Sequence, residues 1–185
     1  LHVFIEEVMR ELGLSFSSLS AVGVSMGPGS YTGLRIGVSS AKGICYANDL
    51  PLIAVNTLEV LAQAYEPKAD EIIVPMIDAR RMEVFTMALN ANHESVLATS
   101  AMIISEEVSA AFPVGKKVLF GSGAAKCKSI LTGKEFIYND EIQFPSAKNM
   151  VSLVAKKYAN KQFEDLAYFE PFYLKDFHTN APKVN

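Results

Sequence analysis

A short apolar run, Ala21-Val22-Gly23-Val24-Ser25, leads almost directly into Gly27-Pro28-Gly29-Ser30-Tyr31-Thr32-Gly33, and a helical pattern follows from about Thr32 to Asn48. Strand, glycine turn and helix in that order commit this part of the chain to an α/β unit. Glycines let the chain turn with positive φ and let another backbone or a ligand come close. The turn also leaves the first N–H groups of the helix unpaired at its positive end. Ser30 or Thr32 can cap the helix, and either hydroxyl could instead reach an anion. Gly27, Gly29, Ser30, Thr32 and Gly33 are therefore candidate contacts for an anion or the edge of a nucleotide. A tight capped turn with no ligand, the commoner case, uses the same residues. The Lys-Ser/Thr pair that closes a Walker loop is missing, so this is not one.

The helix launched by this turn is unusually rich in small residues. Gly33, Gly37 and Ala41 recur every four positions, and Ser39, Gly43 and Ala47 form a second row. Each glycine costs a helix interior roughly 1 kcal/mol relative to alanine, so several of them need a compensating gain. Small rows let another backbone approach closely. With Leu34, Val38 and Cys45 alongside, the helix can pack inside its own lobe, offer a face to another protein, or do both on opposite sides. Before it, Leu1, Phe4, Ile5, Val8 and Leu12 recur at helical spacing, and Gly13 stops that helix. Leu1 lies in mid-helix, so further residues are expected upstream of it.

Downstream, Asp49-Leu50-Pro51 breaks the helix, Leu52 to Val55 reads as a second buried strand, and Thr57 is placed to cap a helix to about Tyr65. After Pro67 the pattern changes. Glu71–Ile77 and Glu83–Leu89 are extended runs joined by Asp78-Ala79-Arg80-Arg81, a hairpin by spacing. A strand at 102–104, a helix capped at Ser105 and running to Phe112, and a strand at 117–120 follow. Next come the turn Gly121-Ser122-Gly123, a helix over 124–131, a longer helix from Ser146 to Asn160, and an extended aromatic tail from Tyr168 to Phe177. Val151, Leu153, Val154 and Tyr158 are the candidates for burial on the last helix. The whole predicts an α/β fold in two lobes, residues 1–67 and 68–185.

Charge and composition limit the function. A net charge of −3 argues against a chain that grips a phosphodiester backbone alone, which takes clustered Lys and Arg. Any contact with RNA would have to be indirect. Cys45 and Cys127 lie far apart with no CxxC pairing, so no disulfide framework or thiolate metal site is indicated, and a reducing cytosol is the natural compartment. No apolar run reaches membrane-spanning length. His2, His93 and His178 are isolated, with no pair four residues apart to start a metal ligand set.

GPGSYTGLRIG, the small-residue helix and Leu50-Pro51-Leu52-Ile53-Ala54-Val55 together are similar to the central signature of the TsaB (YeaZ) family. Val74-Pro75-Met76-Ile77-Asp78-Ala79-Arg80-Arg81 with Glu83-Val84 resembles its second block. Gly121-Ser122-Gly123-Ala124 and Pro171-Phe172-Tyr173-Leu174-Lys175 resemble later ones. Two departures stand out: the family's initial Asp-Thr-Ser-like strand-turn-strand unit has no match, and Met82 replaces a usual hairpin glycine.

The resemblance implies an actin/Hsp70-like, ribonuclease H-like two-lobed ATPase fold lacking that first unit. It implies a non-catalytic scaffold or activator of the paralogue TsaD, which forms the threonylcarbamoyl group on the adenosine 3′ of the anticodon in tRNAs reading codons that begin with A. Partners implied are TsaD as a heterodimer and the ATPase TsaE, a homodimer when the chain is alone, and tRNA only through the complex. The first two helices would carry the contact, through Phe4, Val8 and Leu12 and through Leu34, Gly37, Val38, Ala41, Gly43, Cys45 and Ala47. No cofactor is required, although weak ATP or ADP binding at the interface with TsaD is compatible with Arg80, Gly121 and Gly123 near a nucleotide. For Arg80 a solvated turn or an interlobe ion pair is the plainer expectation. The alternatives are a nucleotide-binding actin-like ATPase or kinase, which needs a phosphate loop and catalytic Asp that are not visible, and a glycoprotease-type peptidase, for which no nucleophile or metal constellation is present.

Overall fold

In the computed structural model, residues 1–175 are described; the end of the expected tail, including Phe177, and His178 lie outside them. Helix α1 spans His2–Glu11 and buries no residue. Gly13, at φ +63°, ends it as the spacing predicts: its N–H reaches the Arg10 carbonyl at 3.1 Å and that of Leu14 reaches Met9 at 3.0 Å. Strand β1 (Val22–Gly27) pairs in parallel with β2 (Leu52–Asn56), with a bulge between Ser25 and Gly27. Helix α2 (Tyr31–Asn48) crosses between them and ends at Asp49 in the left-handed region. Its Val38, Ala41 and Cys45 join Val24, Leu52 and Ala54 in one core.

Helix α3 is Thr57–Ala62, shorter than expected, and its cap is Asn56, not Thr57. The Asn56 side chain accepts from the Leu58 N–H at 2.8 Å, while the Thr57 hydroxyl is taken by Ser25 at 2.6 Å. The second sheet comprises β3 (Glu71–Asp78), β4 (Glu83–Leu89), β5 (Ser95–Ile103), β6 (Lys116–Phe120) and β7 (Phe136–Asn139), in the order β5-β4-β3-β6-β7. β4 runs antiparallel to both β3 and β5, and β6 and β7 run parallel to β3.

Several expectations fail here. The strand at 102–104 is only the end of the nine-residue β5. The helices expected at 106–112 and 124–131 are 3-10 turns, Glu106–Ala111 and Ala125–Cys127. Ser105 makes no side-chain cap. Strand β7 was not anticipated. Ser146 does cap a helical stretch, accepting from the Lys148 N–H, but that stretch begins as a 3-10 turn before α4 (Val151–Ala159). Val151 and Tyr158 stay exposed, whereas Val154 meets β1 at Gly23, where a Cβ would sit 2.7 Å from its Cγ2.

The residue-67 boundary separates the two sheets, but the chain's packing crosses it twice. Leu58, Leu61 and Ala62 of α3 lie in a core with Ile73, Phe85, Val118 and Phe120 of the second sheet. The tail after α4 returns to the first sheet: Leu166 and Phe169 pack on its core, and the Phe172 N–H donates to Met26 O at 2.8 Å. Lys42 holds this tail through the carbonyls of Ala167 and Phe169, at 3.2 and 3.0 Å.

Candidate partner-binding surface

An α-helix presents its stripes about 100° apart per residue, so one helix can serve a core and a second surface. In α2 the inward stripe is Val38, Ala41 and Cys45. These three were expected at a partner contact, and their burial in the chain's own core removes them from it. Leu34 is half-buried beneath the glycine turn, with Cδ1 3.2 Å from where a Gly27 Cβ would lie.

The outward stripe is different. A Cβ added at Gly37 or Gly43 would meet nothing within 4 Å. Ile36 and Tyr46 are exposed beside them, and Ala47 is exposed too. On α1, Phe4 is 70% exposed, Val8 51% and Leu12 64%, with Leu1 and Val3 equally open. His2, Phe16, Ser39, Gly43, Ile44 and Ala47 line a shallow groove of about 450 Å³ where α1 approaches α2. Both helices thus carry large apolar side chains open to solvent, and α2 carries two glycines with free space beside them. Ile36 and Tyr46 were missed by the small-residue pattern, although Ile36 lies seven residues before Gly43 and Tyr46 three after it, spacings that mark the same side.

The first glycine turn is built by the chain's own groups. Gly27 has φ +121°, and a Cβ there would fall 2.6 Å from the Phe172 carbonyl. Ser30, not Thr32, caps α2, accepting the Gly33 N–H at 3.4 Å. Gly29 is half-buried beside Leu34, and Thr32 and Gly33 are exposed. Over the helix start Tyr31 stacks on Tyr173 at 4.6 Å. Arg35 lies 4.1 Å from the Tyr31 ring centre and donates to the Tyr173 hydroxyl at 3.3 Å. Arg35 and Tyr173 stand within the quoted blocks, yet only the fold brings them together. The i, i+4 spacing of Tyr31 and Arg35 was the available signal.

The second glycine turn is packed against β3. Gly121 (φ +99°) has its Cβ position 2.3 Å from Met76 O, and that of Gly123 is 3.0 Å from the Ile77 carbonyl carbon. Their N–H groups donate to Ile142 O at 2.8 Å and Met76 O at 3.1 Å. Both glycines are needed for close packing against β3, a structural role that accounts for them without a ligand. In the hairpin, Asp78 accepts the Arg80 backbone N–H at 2.7 Å and pairs with Lys126. Lys126, not singled out beforehand, also donates to Arg81 O at 2.8 Å and Glu83 O at 2.6 Å. That cation holds the Asp78 carboxyl below its usual range. Arg80 and Arg81 are exposed, at φ +68° and +50°. Among the described residues no three His, Cys, Asp or Glu side chains gather as a metal site, and no helix is long and apolar enough to cross a membrane.

A two-stranded parallel unit with its helix, followed by a five-stranded mixed sheet, defines an α/β protein of the actin-like, ribonuclease H-like class. Solved structures support this: YeaZ from Pseudomonas aeruginosa superimposes with a TM-score of 0.77 at 25% identity, over 92% of this chain and 81% of that one. The family model described as "TsaD: tRNA N6-adenosine threonylcarbamoyltransferase" matches residues 1–181. The tRNA threonylcarbamoyladenosine biosynthesis protein TsaB of Haemophilus influenzae is 31% identical over 183 residues, 93% of this chain and 77% of that protein. TsaB of Escherichia coli K12 is 27% identical over 181 residues, 93% of this chain and 78% of that protein. The chain belongs to the TsaB (YeaZ) family, within the larger group that the TsaD family model describes.

Proposed function

We propose that the chain acts in tRNA threonylcarbamoyladenosine biosynthesis as a non-catalytic scaffold that holds TsaD in a competent conformation, with α1 and the outward stripe of α2 as the docking surface. The observation that carries this reading is the exposed apolar face of α1 together with the outer side of α2, where a Cβ at Gly37 or Gly43 would meet nothing within 4 Å. A helix pair with small residues on one side and large apolar ones on the other suits close packing with helices of a related lobe. TsaE joins the assembly, tRNA is met only through TsaD, and any ATP or ADP lies at the TsaD interface. Without TsaD the same face pairs two copies of the chain. The reading places the protein in the cytoplasm, where tRNA is modified.

The test is reconstitution. TsaD and TsaE, supplied with threonylcarbamoyl-adenylate and tRNA, should form the modified nucleoside only when this chain is added, as read by mass spectrometry of tRNA nucleosides. The chain alone should neither hydrolyse ATP nor cleave glycoproteins. Robust turnover by the isolated chain, or full modification without it, would reject the scaffold role.

A further inference from the structure

A second cleft, of about 480 Å³, lies between α3, the β4–β5 turn and α4, and shares no residue with the α1–α2 groove. Its volume falls in the range of small-molecule sites. The turn that enters it is built around Asn90, whose side chain accepts the N–H groups of Asn92 and Glu94 at 2.9 and 3.0 Å. His93 sits there at φ +59°, a conformation costly for a residue with a Cβ, and its ring is half-buried against α3. Ser152 of α4 donates to Gln63 Oε1 at 3.3 Å, which turns Gln63 Nε2 toward His93 Nδ1 at 3.2 Å. Nδ1 therefore accepts, and the imidazole proton stands on Nε2.

That Nε2–H has no partner among the described residues, and neither do the Lys156 ammonium or the side-chain amides of Asn92 and Gln162. Lys157 is engaged, donating to Ala54 O at 2.6 Å. The charged groups around the ring are Glu66 and the cleft's own Glu59, Lys156 and Lys157. Burial outweighs Glu66 and lowers the imidazole pKa, so the ring is a neutral donor at pH 7.

We propose that this cleft binds a phosphate monoester carried on a hydroxylated organic body, a sugar phosphate or a nucleoside monophosphate. Its free donors are single points arriving from separate elements, which suits a tetrahedral phosphate. The planar Arg fork that favours a carboxylate is missing from the lining. Glu59 supplies an acceptor for hydroxyls, and Ala62, Leu89 and Leu153 supply apolar wall for the rest.

The test uses the full chain with isotopically labelled histidine, titrated by NMR with AMP, glucose 6-phosphate and adenosine in turn. At least one ester should shift the His93 resonances saturably and raise the imidazole pKa, because a bound dianion favours the imidazolium. Which ester binds identifies the organic body. Lys156→Glu, at an exposed position, should weaken that binding by about tenfold or more. His93→Gly should also lose it while raising the melting temperature, since glycine relieves the left-handed backbone. Absence of a saturable His93 shift with either ester, adenosine binding as tightly as AMP, or unchanged affinity in Lys156→Glu would each overturn the proposal.

Discussion

Gly43→Leu separates folding from assembly, because it is expected to push the two in opposite directions. In the free chain the new side chain starts in open space, since a Cβ at residue 43 has no heavy atom within 4 Å. Position 43 lies in the interior of the 18-residue α2, so leucine recovers about 0.8 kcal/mol of helix propensity. For a chain of this size that is a rise of about 2–3 °C in melting temperature. In a complex docked on α2, the same side chain fills space that a partner helix needs. Overpacking of that kind costs about 1–3 kcal/mol, or about 5- to 150-fold in affinity for TsaD. Calorimetric titration of TsaD with each variant, alongside thermal melts, gives both numbers. Gly37→Leu should behave alike, while Ser105→Ala, remote from α2, should change neither. A Gly43→Leu chain that melts higher and binds TsaD with native affinity would move the interface off α2. One that melts several degrees lower would mean that residue 43 already packs against something in the monomer.

Glu71 is buried and accepts from Lys116 at 2.8 Å, from the Lys68 N–H at 3.0 Å and from Tyr65 at 2.9 Å, which bring its pKa down to about 2. A depressed carboxylate stabilises the fold above pH 4.5 and loses that stabilisation as pH falls toward 2; after allowing for the part-exposed Lys116 it amounts to about 2 kcal/mol. Glu71→Gln should flatten denaturant-measured stability across that window, and an unchanged acid limb would refute the assignment. Gly121→Ala should destabilise by about 3 kcal/mol or more, from positive φ and the clash with Met76 O, and a melt within a degree of the parent would sink that account. Lys126→Met strands Asp78 and two carbonyls and should cost about 1–3 kcal/mol; adding Asp78→Asn should recover part of it, and strict additivity in that cycle would show that the pair does not interact.

How far the fold was legible depended on whether an element's signal was local. The glycine turn, α1, α2 and the β3–β4 hairpin each announce themselves within a dozen residues, and they stand where the spacing puts them. Strand β7 does not: Phe136-Ile137-Tyr138-Asn139 is four residues long and becomes a strand only because β6 offers an edge beside it. The segments 106–112 and 124–131 carry helical residue types, but in the connections between the parallel strands β5, β6 and β7 they settle into short 3-10 helices instead of α-helices.

The glycines show the same limit more sharply. Gly29, Ser30 and Thr32 read as an anion cradle at a helix start, and the resemblance put Gly121 and Gly123 near a nucleotide; that second pair lies against the backbone of β3, which only tertiary contact reveals. The small-residue rows of α2 misled for a reason internal to the helix. A step of four residues turns about 40° beyond a full circle, so such a row winds around the axis instead of holding one face. Gly33 starts exposed, Gly37 lies at the margin and Ala41 enters the core, while Ser39, Gly43 and Ala47 all stay outside. The two rows were expected to act alike as one interface. The winding assigns Ala41 to the core and leaves Gly37 and Gly43 with open space beside them, the positions where the proposed docking would bring a partner helix close.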